Sequence, residues 1–283
     1  MTTLQKPVIL HEETIKQIAN SPVGWITFLD TAANNYKYSF NEQILIYAQR
    51  PDATACAEIA TWNQLGRRVK KGAKGIALIA EDGGRTRLRH VFDVSDTNNH
   101  YGSWISPWEM HPRFESAVIS ALERRFGSLG DKETMANAVI SAAANLTHKN
   151  MDDYLSDLLP ARQNSFLEEF DETAVIYEFQ NIVQNSVVYM MMKRCGIDPA
   201  EYIELDDVRG ITQFNTIDTM ARIGAATSDI AETGLREIYS AIQTVLEEEK
   251  KQSRTFDRFV KMQYTNNQDK ENYVNSERGM NNG

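Results

Sequence analysis

The sequence is poor in the residues that usually announce chemistry. Two cysteines, Cys56 and Cys195, stand far apart in no C-x-x-C pair, so neither a disulfide framework nor a zinc ribbon is encoded; both are expected as small buried residues. The five histidines, His11, His90, His100, His111 and His148, never fall at the spacing that lets two imidazoles of one helix meet a metal. Gly72-x-x-Gly75 lacks the preceding strand and the following Ser or Thr of a phosphate-binding loop. Acidic runs such as Glu168-Glu169-Asp171-Glu172 and Asp206-Asp207 read as helix-start charges favoured by the dipole, not as acid/base pairs. No catalytic residue, metal or cofactor is therefore expected. No run of 18 apolar residues exists and the first residues lack the pattern of a secretory signal, so a cytoplasmic location without membrane contact is expected.

Charge is scarce in one sign overall and concentrated in the other locally. The net charge is −9, which on average repels phosphate. Between Trp62 and His90, however, Arg67, Arg68, Lys70, Lys71, Lys74, Arg85, Arg87 and Arg89 face only Glu81 and Asp82, a local +6 that leaves −15 for the remaining chain. An island of this kind is an electrostatic footprint for a polyanion.

Hydrophobic periodicity divides the chain in two. Residues 11–19 and 23–34 read as amphipathic helices, and Ser39-x-x-Glu42 is a capping box opening a third that Pro51 closes. Thr61 is placed to cap a single helical turn ended by Gly66. Ile76, Leu78 and Ala80 then alternate as a strand, Asp82-Gly83-Gly84 signals a turn, and residues 85–94 return with Leu88, His90, Phe92 and Val94 on one face and Arg85, Arg87 and Arg89 on the other. From Pro112 the pattern is helical, with stripes through Phe114, Val118, Leu122 and Phe126, then a largely apolar helix over 172–195, then another over 228–250. The expectation is an α+β N-terminal module over 1–105, in which helices pack on a small antiparallel hairpin sheet, an all-α domain over 106–251, and a polar, disordered tail or linker over 252–283.

Binding an unpaired polynucleotide needs cations along the phosphates, flat rings for the bases and backbone exposed by glycine. The stretch from Trp62 to Gly75 supplies these, and Lys70, Lys71 and Lys74 are expected to stand out on a turn hinged by Gly72 and Gly75. Tyr36, Tyr38 and Trp62 are candidate stacking rings, Tyr36 and Tyr38 because they precede the capped helix in a polar context, with a buried role as their alternative; for Trp62 a core position is the first reading and stacking the second.

The ordered pieces Tyr38-Ser39-Phe40-Asn41-Glu42-Gln43-Ile44-Leu45-Ile46, Ala53-Thr54-Ala55, Thr61-Trp62-Asn63-Gln64-Leu65-Gly66-Arg67-Arg68-Val69-Lys70-Lys71-Gly72-Ala73-Lys74-Gly75-Ile76 and Val91-Phe92-Asp93-Val94 resemble the N-terminal single-stranded-DNA-binding domain of ArdC-type antirestriction proteins over about a third of the chain. The resemblance implies non-catalytic binding of single-stranded DNA in a mobile genetic element, in conjugation or antirestriction. It adds Asn41, Gln43, Gln64, Arg68, Lys71, Gly72 and Lys74 as candidate contacts. The zinc peptidase of such proteins is not carried over, because its motif is missing, although residues 186–198 resemble that peptidase's rear helices. The helical half also resembles regions of long conjugative-element proteins in which helicase or methylase modules follow. An alternative reading is an inhibitor of a host defence enzyme, acting through the acidic helical half.

Overall fold

A computed structural model describes the backbone over residues 4–82, 85–99 and 108–280, and side chains over 4–80, 86–98 and 108–252. The turn signal at Gly83-Gly84 lies outside the described residues. The chain is a mixed α+β N-terminal region followed by helices, the class its patterning indicates. Three helices come first: α1 (Gln5–Ala19), α2 (Pro22–Asn34) and α3 (Phe40–Gln49). Ser21 caps α2 by accepting from the Gly24 amide at 3.0 Å, with Pro22 at its first position, and the Ser39/Glu42 capping box opens α3. The short strand β1 (Cys56–Ala57) leads to α4 (Ile59–Gln64), which begins after Glu58, so Thr61 lies inside this helix and does not cap it. Then follow β2 (Arg67–Val69), β3 (Ile76–Asp82), β4 (Arg85–Asp93) and β5 (Thr97–Asn99).

The strands form two antiparallel sheets, one ordered β1-β4-β3 and one pairing β2 with β5. The β3–β4 register sets Ile76 opposite Val91, Leu78 opposite Arg89 and Ala80 opposite Arg87. Residues opposed across a ladder share a face, so the arginine row lies on the same side as Ile76, Leu78 and Val91. That side packs on α3 through Leu45 and Ile46 in a small core. The expected apolar face is thus reversed: Val91, fully buried, sets the inward side, and His90 on the opposite face is exposed. Phe92 on that opposite face has its ring close to Gly75, and the buried Trp62 indole donates to the Phe92 carbonyl at 2.9 Å.

The helical half comprises α5 (Pro112–Phe126), α6 (Met135–Ala161), α7 (Glu172–Arg194) and α8 (Ile217–Met280). Phe114, Val118 and Leu122 are buried from α5, and α7 buries residues on most of its sides before Gly196 (φ +73°) ends it. Asp171 caps α7 by accepting from the Ala174 amide, which is the structural role read for that acidic run.

Two expectations need amendment. First, Ile15, Trp25, Phe28 and Ile44 of the N-terminal helices belong to one core with Phe114, Val139, Phe179 and Leu235, so the boundary at 105/106 does not separate two cores. The buried Trp25 indole donates to the Ser186 hydroxyl at 2.8 Å, and the Ser228 hydroxyl donates to the Gln43 side-chain carbonyl at 2.8 Å. Gly224 of α8 lies so close to the Phe40 ring that an added Cβ would sit 2.3 Å from it. Second, α8 continues as helix through the segment 252–280 expected to be disordered. That segment has no glycine before Gly279 and no proline, and its Lys, Glu, Gln and Arg residues are good helix formers, so polarity there does not interrupt the backbone pattern. Among the described residues no helix is long and apolar enough to cross a membrane.

Candidate nucleic-acid interface

The basic stretch occupies β2 and the loop to β3. Its shape follows from two glycines. Gly72 adopts φ +86°, the left-handed region closed to most side chains, with open space around it. Gly75 is needed for closeness: an added Cβ would lie 3.0 Å from the Phe92 ring and 3.1 Å from His90. The loop therefore bends sharply and anchors against β4, leaving Arg68, Lys70, Lys71, Gly72 and Lys74 exposed.

The expected cations then sort into three groups. Arg67 and Lys70 are pinned to the β2–β5 ribbon: the Arg67 guanidinium donates to the Thr97 hydroxyl at 2.7 Å, and the Lys70 ammonium to the Ser95 carbonyl at 2.7 Å. Among the described residues, Arg68, Lys71 and Lys74 make no hydrogen bond or ion pair, and they stand within seven consecutive residues, at most about 20 Å of chain. The β4 arginines do not join them. Arg89 is half-buried and donates to Glu58 at 3.0 Å and, through a short bond, to Glu42, while its guanidinium lies 5.6 Å from the Tyr38 ring centre. Burial alone would lower its pKa, but the hydrogen bonds it donates to both carboxylates outweigh that and raise it, so the charge is fixed and neutralised locally. Arg87 is exposed in β4 but stands four residues, about 13 Å, up the strand from Val91, away from the loop. Arg85 lies in the same strand, its side chain outside the described residues. A single groove lined by all eight cations is therefore corrected to a three-cation loop edge.

The candidate rings are corrected too. Tyr36 is 3 % exposed, its hydroxyl accepting from the Trp108 indole at 3.2 Å, and Trp62 is likewise 3 % exposed. Tyr38 is half-buried, covered by Arg89, and donates to the Cys56 carbonyl at 2.8 Å. These rings pack the module instead of offering open faces to bases. Gln43 is fully buried, its amide spent on Asn35 and Ser228. Asn41 and Gln64 are exposed; Asn41 accepts a hydrogen bond from the His11 ring at 3.0 Å, if that nitrogen carries the proton.

What holds the loop's foundation is a residue the sequence marked only as an acid among arginines. Asp93 is 1 % exposed and accepts from the Thr54 amide at 2.7 Å, the Ala55 amide at 2.9 Å, and the Ser95 amide and hydroxyl at 2.9 and 2.6 Å. Burial pushes its pKa up, yet these donors together pull it below the usual carboxylate range. Cys195 is buried as expected and Cys56 half-buried; desolvation pushes each thiol up to about 12, so both stay protonated. Two further cations, Lys37 and Arg194, lie outside the basic stretch and went unread in the sequence.

No family model and no curated protein matches the chain. Among solved structures it is similar to the antirestriction ArdC protein from the R388 plasmid, in the metal-free structure (13 % identity, 72 % of this chain and 85 % of that one, TM-score 0.35) and in the Mn(II)-bound structure (11 % identity, 71 % and 88 %, TM-score 0.34).

Proposed function

We propose that the chain binds single-stranded nucleic acid, DNA by its sequence resemblance, without catalysing a reaction on it, and that it serves a mobile genetic element in conjugation or antirestriction. One observation carries the reading: Arg68, Lys71 and Lys74 are exposed together on a glycine-bent loop while the neighbouring Arg67, Lys70 and Arg89 are held by partners within the fold. Cations without internal partners on a rigidly anchored loop are what phosphate contacts need, because binding then releases counterions without first breaking an ion pair. With the candidate rings buried, phosphate contact outweighs base stacking, and affinity is expected to be insensitive to base sequence. Helicase or methylase modules joined to such a chain would receive the strand from it.

The test is fluorescence anisotropy of a labelled single-stranded oligonucleotide across a salt series, with single-stranded RNA and duplex DNA beside it. Each single-strand phosphate contact contributes about 0.7 to the slope of log affinity against log salt, so the triple variant R68A/K71A/K74A is expected to weaken binding to every sequence and to lower the slope by about 2. Unchanged affinity and slope in that variant would remove the loop as the binding edge.

A further inference from the structure

A second pair of cations, the exposed Lys37 and the half-buried Arg194, stands apart from the loop. A cleft of about 760 Å³ lies between the β1–α4 edge and the helical half, with Lys37, Glu58, Trp108, Arg194 and Tyr239 in its wall. The Arg194 guanidinium lies 3.7 Å from the Trp108 ring centre, the Trp108 indole donates to the Tyr36 hydroxyl, and the Lys37 ammonium is 5.7 Å from the Tyr36 ring centre and 5.1 Å from that of Tyr239. The result is a continuous row of cation, ring, ring and cation. Among the described residues, neither Lys37 nor Arg194 has a carboxylate within ion-pair distance. Two other cations nearby are paired, Arg89 with Glu58 at 3.0 Å and Arg236 with Glu232 at 2.6 Å, and Glu109 attracts Arg194 from beyond ion-pair distance.

Aromatic faces compensate the half-buried Arg194 cation only in part. Burial lowers the pKa of the half-buried Arg194 against the attraction of Glu109, and burial followed by repulsion from Arg236 and Arg194 lowers that of Lys37 against the attraction of Glu232, so the carboxylates nearby offset the positive charge here only in part. The volume falls within the range of small-ligand sites. We propose that this cleft binds a nucleoside monophosphate group, its phosphate held by Lys37 and Arg194 and its base laid against the ring wall of Trp108 and Tyr239. The group is either a free nucleotide or the phosphorylated end of a strand. The site is separate from the loop edge and does not depend on it.

Isothermal titration of the full chain with adenosine monophosphate, adenosine and inorganic phosphate tests this. The nucleotide is expected to bind with Kd below about 1 mM and to outbind both fragments by about tenfold or more. Lys37→Gln and Arg194→Gln are each expected to weaken it about fivefold or more. Lys37 is exposed, so its variant stays informative even if Arg194→Gln lowers stability in a melting curve. The R68A/K71A/K74A variant is expected to keep nucleotide binding while losing long-oligonucleotide affinity, which separates failure of this site from failure of the loop. Within that variant, a 5′-phosphorylated oligonucleotide that outbinds the nucleotide assigns the ligand to a strand end, and the reverse order assigns it to the free nucleotide. No saturable heat with the nucleotide, or affinity indifferent to both Lys37→Gln and Arg194→Gln, overturns the proposal.

Discussion

Replacing Arg89 with alanine separates the charge pattern in the sequence from the interactions in the fold. As a phosphate contact, Arg89 would matter to binding and little to stability. In the structure its guanidinium ties β4 to α3 through Glu42 and to the start of α4 through Glu58, and lies over Tyr38. The side chain is 28 % exposed and that of Glu42 19 %, so the pair is neither freely solvated nor fully dry. A charge-assisted hydrogen bond contributes about 1.5–3 kcal/mol when buried; with two such bonds and partial screening, Arg89→Ala is expected to cost about 2 kcal/mol. For a chain of this size that is about 3–4 °C in Tm. Part of the loss comes from Glu42 left without its cation, so adding Glu42→Ala is expected to cost less than the two single losses combined. Calorimetric melting measures the first quantity and the anisotropy salt series the second, which should keep its slope. A Tm unmoved within about 1 °C, with a salt slope lowered by about 0.7, would refute the structural assignment of Arg89.

Other outcomes follow from the same geometry. Asp93 has its pKa depressed in the fold, so its stabilisation is present above the unfolded value near 4 and is lost as pH falls through the lower folded value; Asp93→Asn is expected to cost about 2 kcal/mol at pH 7 and to flatten the acid limb of a pH–stability curve below about pH 4. Gly72→Ala meets no atom but keeps a positive φ, so thermal melting should show a loss of about 1 kcal/mol or slightly more, with no change at the core. Trp25→Phe removes the donor to Ser186 and is expected to cost about 1–3 kcal/mol in urea unfolding. Because the helices before and after residue 105 share a core, unfolding of the unmodified chain followed by near- and far-ultraviolet circular dichroism should show one coincident transition, and two separated ones would assign each half its own core.

Local signals were read well from the sequence. The capping box at Ser39, the Pro51 boundary, the stripe of α5 and the extent of α7 each depend on residues within one or two turns of one another. What failed depends on pairing and on distant partners. Alternation in β4 separates Arg89 from Phe92 correctly, but which of the two faces the core is set by Val91 meeting Ile76 and Leu78 across the ladder, a choice that periodicity alone leaves open. Of the candidate site, the loop from Arg68 to Lys74 was legible because its glycines and cations act locally. Tyr36 was misread and Trp62 kept as a candidate because the groups that enclose or bond them, Trp108 and the Phe92 carbonyl, come 72 and 30 residues later. Lys37 and Arg194 gave no signal at all, since their charge matters only once the turn after α2 and the end of α7 bring them to one cleft.

The shared core also sets a timetable. Trp25 meets Ser186 161 positions further on, and Gln43 meets Ser228 185 positions further on. At about 5–20 residues per second, a nascent N-terminal segment waits roughly 10–40 s for these partners to be synthesised, with its apolar helices open to the surrounding medium. Late burial of the N-terminal helices is therefore built into this chain's topology, and ribosome-bound intermediates stalled before residue 186 should be its most aggregation-prone form.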